Sequence, residues 1–85
     1  MNNWKETATE LNLSLKFKNF KNAWAFMNEA AIAAENLKHH PNWSNVYNTV
    51  EITLTTHDAG NTVTSKDYEL ANVINDILKN YEFQH

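Results

Sequence analysis

The stretch LNLSLKFKNFKNAWAFMNEAAIAAENLKHHP, residues 11–41, decides the fold because the spacing of its apolar residues changes once along its length. Over residues 11–17 apolar and polar side chains alternate strictly, which is typical of a strand with one buried face. After this strand the apolar residues fall at helical spacing, so we predict an amphipathic helix over residues 20–38. Trp24 and Met27 belong to the apolar stripe of this helix, and we expect that stripe in the core.

The residues at both ends of this segment set the limits of the helix. Asn19 stands at the N-cap position, where a side-chain oxygen can accept from a free backbone N–H. Pro41 disfavours helical geometry at the residue before it, so the helix should end at or just before the pair His39 and His40. Two imidazoles then lie at a helix C-terminus, on a constrained corner of the chain.

Alternation returns after this corner and predicts a second run of strand structure with one apolar face. One parity carries the apolar residues Val46, Val50, Ile52 and Leu54. The other parity is mostly polar and ends at His57, which we therefore place at the end of a strand. The sequence leaves open whether a turn or a bend interrupts this run at Asn48-Thr49, and Gly60 marks the turn that follows it. Upstream, residues 4–7 predict a short partner strand.

The last element has a clear start signal. Thr64 and Asp67 form a capping-box-like pair, flanked by Val63 and Tyr68 at the positions of a hydrophobic staple. An apolar stripe at helical spacing then runs to about Tyr81. The order strand, strand, helix, strand, strand, helix predicts the α+β class, an antiparallel sheet covered by helices on one face. A chain of 85 residues is expected to form a single domain over residues 1–85.

Composition excludes several classes of function. The net charge is −3 and the lysines are spread out, which argues against nucleic acid as a partner. No segment approaches the roughly 20 apolar residues of a membrane span, and Met1 to Glu6 contain no apolar core of a signal peptide, so we expect a cytoplasmic protein. A small core without cysteine has neither disulfides nor the usual structural zinc sites, and we therefore expect a homodimer or homotetramer.

The candidate chemistry lies in the histidines. His39 and His40 close a helix and His57 precedes a turn, and such places are where sites usually lie. Histidine is the natural proton carrier near neutral pH. A lone histidine is more often surface polarity, which is how we interpret the terminal His85. Zinc is a further alternative, but consecutive histidines chelate poorly in regular structure and the spacing matches no standard zinc pattern, so we predict no metal.

Residues 35–47, ENLKHHPNWSNVY, together with two later positions, are similar to the signature of the pterin-4a-carbinolamine dehydratases. The matching positions, in chain order, are Glu35, His39, His40, Pro41, Tyr47, His57 and Asp67. Residues 17–20 and 25–27 also resemble that family, and the resemblance runs from about Trp4 to Tyr81. The chain differs from the family at two places: the family's N-terminal helix is missing before Trp4, and Lys38 stands where many relatives carry Asp.

The resemblance implies a four-stranded antiparallel sheet with helices on one face and a hydro-lyase activity, that of a 4a-hydroxytetrahydrobiopterin dehydratase. The reaction converts 4a-hydroxytetrahydropterin to the quinonoid dihydropterin, which recycles the cofactor of aromatic amino-acid hydroxylases, and the enzyme itself uses no cofactor. The substrate-binding residues that it implies are Lys38, His39, His40, Thr55, Thr56, His57 and Asp58. Supporting positions are Glu35, Pro41, Trp43 and Asp67.

Dehydration needs one acid, which protonates the departing oxygen, and one base, which takes a ring N–H proton as the C=N bond forms. We assign His40 as the principal acid–base group, His57 as its partner and His39 as the residue that orients the substrate. Several of these residues also have a structural interpretation. Asp67 would cap the last helix, and Trp43 and Tyr47 would either line the pterin pocket as flat aromatic rings or pack in the core. The alternative function is a non-catalytic dimerisation or interaction module of the same fold.

Overall fold

Two helices and five short antiparallel strands make up residues 3–85, the part of the chain that the computed structural model describes. Met1 and Asn2 lie outside this range. They are the first residues of the segment predicted to lack the apolar core of a signal peptide. The elements, in order, are β1 (Lys5–Glu6), β2 (Leu11–Phe17), α1 (Phe20–Leu37), β3 (Asn42–Val46), β4 (Thr49–Leu54), α2 (Ser65–Leu78) and β5 (Phe83–Gln84). Neither α-helix in this range is long and apolar enough to cross a membrane.

The sheet has the order β1-β2-β4-β3, with β2 and β4 at its centre. All of its pairs are antiparallel, and β1 and β5 pair with opposite ends of β2. The predicted α+β class is therefore confirmed. The short strand β5, which follows α2, joins the predicted strands as a fifth member of the sheet.

The core lies between the sheet and the two helices. The apolar residues of β2 and β4 face each other across the ladder, as in the pairs Leu13 with Ile52 and Leu15 with Val50. All four of these side chains are buried, and burial of one such side chain contributes about 1.5–3 kcal/mol. The helices cover this face with Ala23, Phe26, Ala30, Ala34, Leu70, Ala71, Ile74 and Leu78.

Helix α1 begins at the predicted residue and ends at Leu37, one residue before the predicted limit, but it buries a different side. The Asn19 side chain accepts from the backbone N–H of Asn22 at 2.8 Å, as an N-cap should. Trp24 was predicted to lie in the core and is 51 % exposed, so that prediction is wrong. The buried side of α1 is centred on Phe26 and on small alanines that let the helix approach the sheet and α2 closely. Trp24 therefore lies on the flank of the helix, stacked on the ring of Phe20 at 6.2 Å.

A tight turn separates β3 from β4 and moves Val46 out of the core. Val46 pairs with Thr49, so the two residues between them form a two-residue hairpin turn. Because this turn shifts the parity, Val46 lies 75 % exposed, which contradicts the prediction that it shares the apolar face. Tyr47 occupies the first turn position with φ of +52°, a conformation that usually requires glycine. Asn48 anchors the turn to β2 by donating from Nδ2 to the carbonyl oxygen of Phe17 at 2.8 Å.

Helix α2 starts at the predicted capping box. The Thr64 side chain accepts from the backbone N–H of Lys66, and Asp67 accepts from the backbone N–H of Thr64 at 2.9 Å. The helix ends at Leu78, three residues before the predicted limit. Tyr81 follows it in a turn and packs edge-on against the core ring of Phe26. The fold thus brings the end of α1, the end of β4 and the start of α2 together.

Candidate active site

The corner after α1 is built by a left-handed residue. Lys38 has φ of +53°, and its N–H donates to the carbonyl of Glu35 at 3.1 Å while the N–H of His39 donates to that of Ala34 at 3.0 Å. This pair of hydrogen bonds is the Schellman motif, which ends a helix by satisfying its last carbonyls. The motif reverses the chain direction just before His39 and His40 and sends the two imidazoles to different partners.

His39 is held by a buried carboxylate. Its Nε2 lies 2.6 Å from Oδ1 of Asp67, and the side chains of His39 and Asp67 are 11 % and 0 % exposed. The second oxygen, Oδ2, accepts from Oγ1 of Thr56 at 2.8 Å and from the N–H of Thr64 at 2.9 Å. A buried carboxylate is stable only when its oxygens are hydrogen-bonded in this way. Asp67 therefore caps α2, as predicted, and the same carboxylate holds the ring of His39.

His40 points away from this network into solvent. Its Nε2 lies 2.8 Å from Oε1 of Glu35, one turn back on α1, and both side chains are mostly exposed. An exposed pair of this kind contributes little to folding. The contact between Glu35 and His40 can therefore orient the imidazole ring, but it adds little to the stability of the fold.

His57 does not end a strand, as its parity suggested; it opens a single 3-10 turn, His57–Ala59. Strand β4 stops at Leu54 because Thr56 pairs with Thr62 instead, its N–H donating to the Thr62 carbonyl at 3.0 Å. The exposed ring of His57 is tied within the turn, with Nδ1 2.7 Å from Oδ1 of Asn61.

These residues surround one shallow pocket of about 200 Å³. Its lining consists of Lys38, His39, His40, Thr55, Thr56, His57, Asp58 and Lys66. All of the substrate-binding positions inferred from sequence thus lie around one cavity, and Lys66 is an addition. Lys66 lies in the first turn of α2, where an exposed lysine gives no sequence signal. Thr56 is buried and its hydroxyl is taken up by Asp67 and Thr64, so it supports the pocket from behind.

The predicted aromatic residues lie elsewhere. Trp43 pairs with Ile52 on the helix-covered face of the sheet and is half-buried against the core. Tyr47 is exposed at the far end of β3, in the turn to β4. Pro41 is half-buried and leads into β3 without lining the cavity. The pocket is therefore polar, and a flat ligand would be recognised there by hydrogen bonds and charge.

The arrangement is suited to proton transfer. Each pocket histidine has one ring nitrogen bonded to an oxygen, and among residues 3–85 the other nitrogen bonds to no protein group. An imidazole fixed at one nitrogen can accept or donate a proton at the other near neutral pH. Within the same range no three side chains of the metal-binding type are grouped closely enough to hold an ion.

Comparison with known proteins gives a consistent result. The family model described as pterin 4 alpha carbinolamine dehydratase matches residues 1–77. A protein of Christiangramia forsetii, provisionally named a pterin-4-alpha-carbinolamine dehydratase, is 46 % identical over 76 residues, which cover 89 % of this chain and 77 % of that protein. A Mesorhizobium japonicum protein with the same provisional name is 56 % identical over 62 residues, 73 % of this chain and 62 % of the relative. The chain thus spans somewhat under two thirds of the rhizobial relative's length.

Among solved structures, a Brucella melitensis protein described as a transcriptional coactivator/pterin dehydratase superposes with a TM-score of 0.85. It is 42 % identical, and the match covers 91 % of this chain and 83 % of that one. Every residue around the pocket lies within the matched segment of the family model. The chain accordingly belongs to the pterin-4a-carbinolamine dehydratase family.

Proposed function

We propose that the protein is a cytoplasmic hydro-lyase that dehydrates 4a-hydroxytetrahydropterin to the quinonoid dihydropterin. The observation that carries the proposal is the meeting of His39, His40 and His57 around one pocket, each with a ring nitrogen left for the substrate. The bond between C4a and oxygen breaks as the oxygen gains a proton and leaves as water. A neighbouring ring nitrogen loses its proton, and its electron pair forms the C=N bond. Proton transfer by side chains is sufficient for both events.

The exposure of the three rings supports a division of roles. His40 and His57 are exposed and can therefore contact a substrate that enters the pocket from solvent. We assign the two proton transfers to them. His39 is almost buried and fixed by Asp67, which suits a group that positions the pterin by a hydrogen bond. Asp58, Lys38 and Thr55 at the rim are left to contact the polar edges of the heterocycle.

The test is a dehydration assay on chemically generated carbinolamine, corrected for the spontaneous reaction and run with and without a chelator. We expect catalysis that the chelator does not change. Loss of activity with the chelator would show that the histidines act as metal ligands in a metal-dependent reaction. A rate equal to the spontaneous one would leave the interaction module as the function of this chain, a role in keeping with the description of the Brucella relative as a coactivator.

Self-association is part of the same proposal. Phe20, Trp24 and Ile32 of α1 are 48 %, 51 % and 65 % exposed, and large apolar side chains in water favour burial between subunits. We propose a homodimer or homotetramer that covers this helix. Sedimentation equilibrium at micromolar concentration should give a multiple of 9.8 kDa, and Trp24→Ser should shift the protein toward the single-chain mass. A wild-type mass of 9.8 kDa would contradict the proposal.

A further inference from the structure

The turn that follows β4 holds His57 and Asn61 at a fixed separation. Gly60 and Asn61 both adopt positive φ, +77° and +59°, which brings the chain back on itself. The N–H of Asn61 donates to the carbonyl of Thr56 at 3.1 Å, and the N–H of Gly60 donates to that of His57 at 3.0 Å. Asparagine tolerates this left-handed backbone better than most residues with a side chain. The Asn61 amide is thus placed beside the imidazole by the backbone itself.

The contact between these side chains determines which nitrogen of His57 carries the proton. Oδ1 of Asn61 lies 2.7 Å from Nδ1 of His57, and an amide oxygen can only accept a hydrogen bond. With the Asn61 amide in this orientation, Nδ1 is the protonated nitrogen. In a neutral imidazole the other nitrogen, Nε2, then has a free electron pair.

We infer that Asn61 is a positioning residue that holds His57 as the Nδ1–H tautomer and so presents Nε2 as the proton acceptor of the reaction. The catalytic role of Nε2 rests on the proposed dehydration, whereas the tautomer follows from the contact within the turn. The contact with Asn61 also distinguishes His57 from the other two pocket histidines. His39 and His40 are held through Nε2, by carboxylates, whereas His57 is held through Nδ1 by a neutral amide. Among the three pocket histidines, His57 alone leaves Nε2 as the unbonded ring nitrogen and has an uncharged partner, which suits a base that starts the cycle unprotonated there.

The test compares two variants of Asn61 by ¹⁵N NMR of the ring nitrogens and by kinetics. Asn61→Gly keeps the left-handed backbone, since glycine favours it, but removes the acceptor. Asn61→Asp keeps an acceptor at the same place. In the wild type we expect His57 with a protonated Nδ1 and a free Nε2. Asn61→Asp should also keep the proton on Nδ1, and its carboxylate should in addition favour protonation of Nε2. In Asn61→Gly we expect a mixture of tautomers and a rate reduced about 2- to 10-fold, the effect of one hydrogen bond.

Two controls accompany the test. Asn80→Gly makes the same change at an exposed site after α2 and should alter neither the His57 signals nor the rate. His85, packed edge-on against Phe83, should keep its ring signals in every variant. A wild-type His57 protonated at Nε2 would overturn the inference, as would an unchanged tautomer in Asn61→Gly. The predicted NMR result without any catalysis of dehydration would support the tautomer and contradict the proposed function instead.

Discussion

Replacement of Asp67 separates its two roles, because alanine and asparagine remove different hydrogen bonds. Asp67→Ala removes the acceptor of Thr64 N–H, of the Thr56 hydroxyl and of His39 Nε2. Asp67→Asn can keep its amide oxygen at the Oδ2 position, where it still accepts from Thr64 and Thr56. Its NH₂ group then faces His39, which must present a bare Nε2 and carry its proton on Nδ1.

The magnitudes follow from burial. Each buried group that loses its partner costs about 1–3 kcal/mol, so Asp67→Ala should destabilise the protein by about 3–5 kcal/mol, more than the loss of a simple cap. A domain of 85 residues has a total stability of about 4–13 kcal/mol, so this is a large part of the whole. Asp67→Asn should cost only about 1 kcal/mol because the cap survives. It should nevertheless lower kcat/KM about 10- to 100-fold, since His39 then offers the pterin a donor where it offered an acceptor.

Urea unfolding followed by tryptophan fluorescence gives the stabilities, and the carbinolamine assay gives the rates. Asp76 is the matched control: it lies on the same helix and is exposed, and within residues 3–85 its side chain pairs only with Lys79 across the surface. Asp76→Ala and Asp76→Asn should change the free energy of unfolding by less than about 0.5 kcal/mol and leave the rate unchanged. Equal stability losses in Asp67→Ala and Asp76→Ala would refute the buried network. A fully active Asp67→Asn variant would refute the orienting role of His39.

Three further predictions concern other parts of the molecule. His40→Ala and His57→Ala should each reduce turnover about 10²–10⁴-fold without unfolding, and the double variant should lose less than the product because the two act together; near-wild-type rates in both would rule out the mechanism. The carboxylate of Glu29 accepts from the Tyr81 hydroxyl and raises its pKa to about 12, so this contact should stabilise the fold below pH 10 and be lost as the pH rises toward 12; Tyr81→Phe should flatten that part of the curve of stability against pH. Tyr47→Gly should raise the free energy of unfolding by about 1 kcal/mol, and a loss of stability would show that the tyrosine ring itself holds the turn.

The elements of the fold could be predicted from the sequence because their signals are local. The alternation over residues 11–17 and the capping box at Thr64 depend on neighbouring residues only, and both are present in the structure. The mistaken burial of Trp24 has a different cause. Helix α1 carries apolar residues around much of its circumference, and only the packing against α2 and the sheet selects Phe26 as the centre of the buried side. Val46 was misplaced because a two-residue turn shifts the parity by which its face was assigned.

The site could be predicted only in part, for the same reason. The resemblance supplied the pocket residues, but not the contacts that orient them. The bond between His39 and Asp67 joins residues 28 positions apart, and its existence depends on how closely the end of α1 approaches the start of α2. The contact of Asn61 with His57 depends on two successive left-handed residues in a turn, for which an asparagine after a glycine is too weak a signal. Lys66 gave no signal at all.

The placement of one carboxylate at both the cap of α2 and the pocket has an evolutionary consequence. A random change at Asp67 is penalised twice, once in abundance of the folded chain and once in chemistry, so descendants of this sequence have little freedom at that position. Lys38, Asp58 and Lys66 are exposed around the same cavity, and changes in their charge alter what the pocket attracts without disturbing the core. Divergence toward other ligands would therefore accumulate first among these rim residues, while the residues beneath His39 stay fixed.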